Sequence, residues 1–212
     1  MRDKNKSPWK LILASSSPRR RELLGHTQVP FEILTIPTNE ESHELDPRAF
    51  ALDVARQKGV VVCESLKAQS SVVISADTVV ALEGKIYGKP QGIEDARRIL
   101  TELAGQTHQV HTGLCIHFWQ NQSWKRIEHV ETTEVDFLPL NQQLLESYLS
   151  TRDSLDKAGA YGIQGQALTF ISGIRGCYAN VVGFPLFRFC SLMEDDFLNQ
   201  ISNEGPWQNL FV

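Results

Sequence analysis

The first half of the chain alternates apolar segments with segments of helical periodicity. A continuous apolar run at residues 9–14 predicts a strand, and Ser17-Pro18, an N-cap followed by a first-turn proline, predicts the start of a helix after it. Residues 31–36 predict a second strand. Asp46-Pro47 repeats the cap-and-proline pair and predicts a long helix. The chain therefore begins with alternating strands and helices.

The second half is richer in hairpin patterns. Residues 72–82 predict a strand that continues on both sides of a single acid, and Glu83-Gly84 predicts a tight turn into a return arm at 85–88. Further predicted elements are a helix at 94–103, strands at 108–119 and 124–138, a helix at 141–149, a strand at 168–174 and a helix after Pro185. Strand–helix alternation followed by hairpins predicts an α/β fold with a mixed sheet flanked by helices.

Length, charge and cysteine content narrow the class of protein. The 212 residues suffice for a substantial core, and we expect a single domain over 1–212, with two lobes around a cleft and tails at 1–8 and 200–212. The net charge of −4 gives no global attraction to nucleic acid or to an anionic membrane, so any phosphate site must be local. Scattered cysteines and the lack of a signal-peptide pattern predict a cytoplasmic protein with reduced thiols.

The strand-to-helix junction LASSSPRRREL is a candidate phosphate site. Small hydroxyl residues turn the chain, and Arg19, Arg20 and Arg21 occupy the first helical turn, where basic residues oppose the helix dipole unless an anion neutralises them. Backbone N–H groups, the hydroxyl groups of Ser15 and its neighbours, and the arginine side chains together suit a phosphate. A solvated basic turn is the alternative.

Asp77 is the candidate for catalysis because it interrupts an apolar strand, where an unpaired carboxylate is costly to bury. We expect such an acid to have a cation, a base or a metal as its partner. In the predicted hairpin, Thr78 lies opposite Lys89, whose ammonium group would then reach Asp77 or a phosphate near it. A purely structural salt bridge is the alternative.

Two loops add candidates for binding a base and a metal. The glycines of AGAYGIQG allow the backbone to approach a ligand closely, and Gln164 offers both a donor and an acceptor to the imide edge of a pyrimidine. Glu40, in the acidic loop 39–41, offers carboxylate oxygens to a hard divalent cation. Plain solvated loops are the alternatives. His108 and His111 would point to opposite faces of a strand, which disfavours a metal pair.

The order of these blocks resembles the Maf family of nucleoside triphosphate pyrophosphatases. The resemblance rests on LILASSSPRRRELL, SADTVV, GKIYGKP, LAGQTHQVHTG, DKAGAYGIQG and NVVGFPL, which follow one another from Leu11 to about Leu186. It implies an elongated α/β fold with a central cleft, related to that of the inosine triphosphate pyrophosphatases. It also implies a divalent cation, Mg²⁺ or Mn²⁺, and cleavage between the α- and β-phosphorus of a nucleoside triphosphate.

The resemblance also implies roles for single positions. Asp77 matches the catalytic aspartate and, together with Glu40, a metal position. The positions that match phosphate handling are Ser15, Arg20, Lys58 and Lys89. Lys58 lies in VARQKG, a looser match, with Gly59 where the family commonly has alanine. The residues that match the group acting on dTTP and UTP are Arg19, Thr78 and Gln164, where the 7-methyl-GTP group has tryptophan, glutamine and glutamate.

The sequence thus predicts a metal-dependent hydrolase that releases pyrophosphate from dTTP and UTP. Its expected partner is the nucleotide substrate, with neither nucleic acid nor membrane, and homodimer formation is left open. A 7-methyl-GTP or broad-specificity pyrophosphatase is the rival within this class, and a nucleotide-binding regulator of cell division without significant catalysis is the rival from another class. The intact Asp77 and Lys89 favour catalysis, because a binding protein does not need a water-activating acid.

Overall fold

A computed structural model gives the fold of residues 9–66, 70–201, 203 and 205–211; the predicted tail at 1–8 lies outside these described residues. The strands are β1 (Lys10–Leu13), β2 (Glu32–Ile33), β3 (Ser71–Leu82), β4 (Lys85–Tyr87), β5 (Thr107–Gln120), β6 (Ser123–Phe137) and β7 (Ile171–Arg175). They form one 7-stranded sheet in the order β2-β1-β3-β5-β6-β7, with β4 paired to β3. β1 pairs in parallel with β2 and β3, and the remaining pairs are antiparallel, so the predicted mixed sheet is confirmed.

Helices flank this sheet. They are α1 (Pro18–Gly25), α2 (Pro47–Ser65), α3 (Ile93–Leu103), α4 (Gln142–Ser150), α5 (Tyr178–Val182), α6 (Leu186–Leu192) and α7 (Leu198–Ile201), with a π-helical turn between the last two. The predicted caps are confirmed, because the side chains of Ser17 and Asp46 accept hydrogen bonds from the backbone N–H groups of Arg20 and Ala49. The α/β fold class with flanking helices therefore follows from local sequence patterns.

Three predicted elements differ from the structure. The second strand is only Glu32–Ile33, and beyond it the Leu34 N–H still donates to the Leu13 carbonyl oxygen at 3.2 Å without extending the strand. The strand predicted at 168–174 begins at Ile171, because the residues before it form a 3₁₀ turn at Gln166–Thr169. The segment predicted as a tail at 200–212 is also wrong over its described part: Trp207 is only 1% exposed and packs against the ring of Phe189. The aromatic side chains of Trp207 and Phe211 anchor this otherwise polar segment in the core. The average hydropathy of the segment does not reveal that these two side chains are buried.

One edge of β3 has a gap in its strand pairing. β1 pairs with β3 up to the register Leu13↔Ile74, and β4 pairs with it only from Val80↔Tyr87 onward. On this edge, residues 75–79 therefore pair with neither β1 nor β4. On the opposite edge, β5 pairs with β3 from Val72 to Ala81. Successive strand residues point to opposite faces, so Asp77 and Thr78 reach the gap from the two faces of the sheet.

The core is divided on the Thr78 side of the sheet. One cluster of buried side chains packs β1 and the first part of β3 against α6, α7 and the C-terminal segment. A second cluster packs the end of β3 against α3 and α4. Thr78 lies between Ala76, which belongs to the first cluster, and Val80, which belongs to the second. On the Asp77 side, α2 covers the sheet.

We expect Trp207→Ala to lower the free energy of unfolding by about 3–5 kcal/mol, because it removes a large buried ring and leaves a cavity. Urea unfolding followed by circular dichroism measures this change. Phe187→Ala is the matched control, since the Phe187 side chain is 77% exposed, and it should change stability by less than about 0.5 kcal/mol. Equal, small effects of the two substitutions would show that the C-terminal segment does not contribute to the core.

Candidate functional site

A cleft of about 630 Å³ opens at the gap in β3. Eight of the nine candidate residues line it: Arg19, Arg20, Glu40, Lys58, Asp77, Thr78, Lys89 and Gln164. Ser15, the ninth, lines an adjoining cavity of about 580 Å³ that shares Arg20, Glu40, Lys58 and Lys89 with the cleft. The structure thus brings these nine positions together, although they come from six separate segments of the chain.

The acid in β3 is paired with a lysine from α2. Lys58 Nζ lies 2.7 Å from Asp77 Oδ1 and 3.1 Å from Glu40 Oε2. The Lys58 and Asp77 side chains are each 14% exposed, whereas that of Glu40 is 53% exposed. Glu40 has a positive φ of 45°, a conformation that is rare outside glycine and concentrated at functional sites. Two carboxylates therefore converge on one ammonium group at the floor of the cleft.

The expected partnership of Lys89 with Asp77 is not what the structure shows. The β3–β4 ladder ends at the Val80–Tyr87 pair, so Thr78 does not lie opposite Lys89 in a strand pair. Lys89 follows β4, is exposed, and forms no hydrogen bond or ion pair with another described residue. Lys58, which the sequence suggested only through the family resemblance, holds the position beside Asp77 instead.

Close packing of α2 on the sheet sets the position of Lys58. A Cβ atom added at Gly113, the β5 partner of Asp77, would lie 2.3 Å from the carbonyl oxygen of Ala51 in α2. A Cβ atom at Gly59 would lie 2.3 Å from the ring of His117 and 2.6 Å from Ser75 Oγ. Both glycines therefore let the α2 backbone approach the sheet. This contact explains why Gly59 stands next to Lys58.

Arg20 joins three segments around the gap. Its Nε donates to the carbonyl oxygen of Gly183 at 2.9 Å, and its terminal nitrogens donate to Ser15 Oγ and Thr78 Oγ1, each at 3.2 Å. Removal from water lowers the pKa of the Arg20 guanidinium below its ordinary value, although the nearby Asp77 carboxylate raises it. A guanidinium group has five N–H donors, so two remain for a ligand.

A chain of ion pairs lies at the mouth of the cleft. Arg19 contacts Asp156 at 3.1 Å, and Lys157 contacts Asp156 at 2.6 Å and Asp153 at 2.7 Å. Sequence reasoning did not single out these acids or Lys157, although DK precedes the glycine-rich block. Gln164, in that block, is exposed to the cleft and has no hydrogen bond with another described side chain.

The glycines of the glycine-rich block approach protein atoms. A Cβ atom at Gly159 would lie 2.7 Å from a methyl group of Val80, and Gly159 has a positive φ of 68°. Gly162 and Gly165 pack against the side chains of Lys157 and Asp153. These glycines let the loop pack onto β3 and onto its own ion pair, and Gly162 and Gly165 also line the cleft, so the close approach of a ligand to them stays a prediction.

Polar residues buried behind the cleft were also missed in the sequence. The hydroxyl of Thr112, on β5, lies 2.9 Å from that of Thr78, and Asn180, in α5, is completely buried. Asn180 interrupts an apolar run, as Asp77 does, and this pattern could have identified it. Thr112 stands between a histidine and a glycine and carries no such signal. Their partners could not be identified, since these lie on other strands.

Histidine and cysteine side chains do not form a metal centre here. Within the described residues, no group of three or more His, Cys, Asp and Glu side chains is arranged to hold a metal ion. Burial lowers the pKa of His108 to about 4, and this ring contacts the hydroxyl of Tyr161, whereas His111 contacts Thr132. Burial also raises the pKa of the Cys63 and Cys115 thiols to about 12, which keeps them protonated and unreactive. Among the described helices, none combines the length and the apolar character that crossing a membrane requires.

A family model and relatives of similar sequence identify the family. A family model described as Maf-like protein matches residues 10–196. A dTTP/UTP pyrophosphatase of Carboxydothermus hydrogenoformans is 45% identical over 179 residues, which cover 84% of this chain and 94% of the relative. A dTTP/UTP pyrophosphatase of Pyrococcus horikoshii is 48% identical over 178 residues, which cover 83% and 91%. A solved structure of the Staphylococcus aureus Ham1 protein aligns with 60% of this chain and 71% of its own, at a TM-score of 0.40 and 11% identity. The chain therefore belongs to the Maf-like protein family.

Proposed function

We propose that this protein hydrolyses dTTP and UTP to the nucleoside monophosphate and pyrophosphate, with the help of a divalent cation. The observation that carries the proposal is the position of Asp77, a largely buried carboxylate in the strand gap with Lys58 as its ion-pair partner and Arg20 on the other side of the strand. The names of the relatives, which share more than two fifths of their residues with this chain, support the same activity.

The triphosphate is bound by groups that the protein leaves available. Arg20 keeps two N–H donors, and Lys89 has no partner among the described residues. The turn at Ser15–Ser17 precedes the first turn of α1, where backbone N–H groups and the helix dipole favour an anion. These cationic groups neutralise the phosphates, while Lys58 remains engaged with the two carboxylates.

The carboxylates of Asp77 and Glu40 fit a divalent cation. They converge on one point, where Lys58 now supplies the positive charge, and Mg²⁺ typically takes one or two protein carboxylates in addition to substrate phosphates. When bound, such a cation neutralises charge on the phosphate oxygens. Mn²⁺ suits the same oxygen donors.

Asp77 also has the position of a general base for water. The oxygen of a water molecule forms a bond to the α-phosphorus, the bond between the α-phosphorus and the bridging oxygen breaks, and the water proton passes to the Asp77 carboxylate. Lys58 holds this carboxylate in place and balances its charge in the ground state. Arg20 and Lys89 neutralise the pyrophosphate as it leaves.

The groups that distinguish one base from another lie on the Thr78 side of β3. Thr78 and Gln164 line the cleft there, and together they offer hydroxyl and amide groups to the imide edge of uracil or thymine. Asp156 pairs with Arg19, so the net positive charge that a cationic base such as 7-methylguanine would meet is reduced. Charge repulsion by Arg19 thus contributes less to base selectivity than its charge alone suggests. Hydrogen bonding therefore supplies most of the selectivity.

We expect Asp77→Asn to reduce the release of pyrophosphate from dTTP at least about a hundredfold, because the amide cannot accept the water proton. The substitution keeps the size of the side chain, so circular dichroism should show an intact fold, with a lower thermal midpoint because Lys58 loses its nearest ion-pair partner. Asp196→Asn is the matched control, since Asp196 is exposed and outside the cleft. A folded Asp77→Asn protein with near-normal turnover would remove Asp77 from catalysis.

We expect Gln164→Glu to reduce the preference for dTTP and UTP by about tenfold or more, because the side chain loses its amide donor and one unpaired polar group costs about 1–3 kcal/mol. The measurement is kcat/KM for dTTP, UTP, CTP, GTP and 7-methyl-GTP. Gln166→Glu adds the same charge two residues away and outside the cleft, and should keep the preference. The account of the base pocket is wrong if wild-type protein prefers 7-methyl-GTP, or if Gln164→Glu keeps the full pyrimidine preference.

A further inference from the structure

Thr112 is a completely buried hydroxyl residue directly behind the cleft. It is the β5 partner of Thr78, and the two hydroxyl oxygens lie 2.9 Å apart. Thr112 Oγ1 also lies 3.4 Å from the backbone carbonyl oxygen of Asn180. Thr112 does not line the cleft, so any effect on a ligand must pass through Thr78.

The partners of Thr78 determine where its hydroxyl hydrogen points. Arg20 has only donors, so its contact at 3.2 Å uses a lone pair of Thr78 Oγ1. If Thr112 donates to the Asn180 carbonyl, Thr78 donates to Thr112 and keeps one lone pair for a ligand. If Thr112 donates to Thr78, the Thr78 hydrogen is left for the carbonyl oxygen of Gly183 at 3.4 Å, and both lone pairs are used. In both arrangements a protein acceptor takes the Thr78 hydrogen, and only the first, in which Thr112 takes it, leaves Thr78 a lone pair for a ligand.

Asn180 keeps this acceptor chain in place. Its side chain is completely buried, and its amide nitrogen donates to the carbonyl oxygen of Val110 and to Thr133 Oγ1, each at 3.0 Å. The Val110 carbonyl can only accept, which fixes the amide nitrogen on that side. These bonds attach α5 to β5 and β6, and they place the carbonyl oxygens of Asn180 and Gly183 beside the two threonines.

We propose that Thr112 is a positioning residue for base specificity: it takes the hydrogen of the Thr78 hydroxyl, so that Thr78 presents only an acceptor to the base. An acceptor pairs with the imide N–H of uracil or thymine and rejects cytosine, which carries a lone pair on the corresponding ring nitrogen. The inference rests on the proposed function. It also gives a role to the blocks QVHTG and NVVGFPL, which contribute no other side chain to the catalytic carboxylate or to the phosphates.

The test compares kcat/KM for UTP and CTP in wild-type protein, Thr112→Val and Thr112→Ser. Valine keeps the shape of the side chain but removes the acceptor at 2.9 Å, so only the longer contact with the Gly183 carbonyl oxygen at 3.4 Å competes with the cytosine nitrogen for the Thr78 hydrogen. We expect the UTP-to-CTP ratio of kcat/KM to fall at least about tenfold, mainly through KM, with kcat for dTTP within about threefold of wild type. Serine keeps the hydroxyl and should hold the ratio within about twofold. Thr112→Ala, which also lacks the hydroxyl, should lower the ratio as valine does.

Thr132→Val is the matched control. It removes a threonine hydroxyl on β6 that contacts His111 on the opposite face of the sheet, and the ratio should stay unchanged. An equal loss of activity on UTP and CTP in Thr112→Val, or an unchanged ratio, overturns the positioning role. If the wild-type protein still hydrolyses UTP in that case, the proposed function is unaffected. A wild-type protein that hydrolyses neither UTP nor dTTP overturns the proposed function and this inference together.

Discussion

The gap between β1 and β4 on one edge of β3 is the constraint on which the site depends. A strand paired on both edges exposes its side chains only to the layers packed on each face, and a ligand cannot contact both faces at once. Because residues 75–79 lack a strand on one side, a cleft at this edge reaches Asp77 on one face and Thr78 on the other. A nucleotide bound in the cleft would then contact Asp77 and Thr78, which are adjacent in the chain, from opposite faces of β3.

Each face of the gap has its own polar support. On the Asp77 side, Lys58 balances a carboxylate that is only 14% exposed, and removing one partner from such a buried pair is far more destabilising than the net contribution of the pair suggests. On the other side, Thr78, Thr112 and Asn180 form a buried polar seam between two apolar clusters. The Asn180 amide nitrogen donates to Val110 and Thr133, and these directional hydrogen bonds fix how α5 sits on β5 and β6.

Sequence patterns predicted the elements and caps because their causes are local. The Ser17 cap and the Glu83-Gly84 turn depend on residues a few positions apart, and both are present. Hairpin geometry placed Lys89 near Asp77 or near a phosphate beside it, but the ion-pair partner of Asp77 is Lys58, because α2 crosses the sheet at glycine contacts that only the folded chain reveals. Burial of Trp207 likewise depends on distant aromatic partners. Long-range packing, rather than local pattern, sets these contacts.

A crystal structure with α,β-imido-dUTP, in which an NH group replaces the bridging oxygen that would be cleaved, tests the central claim most directly. The account predicts that the α-phosphate lies on the Asp77 and Lys58 side of β3, that the outer phosphates contact Arg20 and Lys89, and that uracil contacts Thr78 and Gln164. A nucleotide bound away from the gap, or one whose phosphates and base contact only one face of β3, would contradict it.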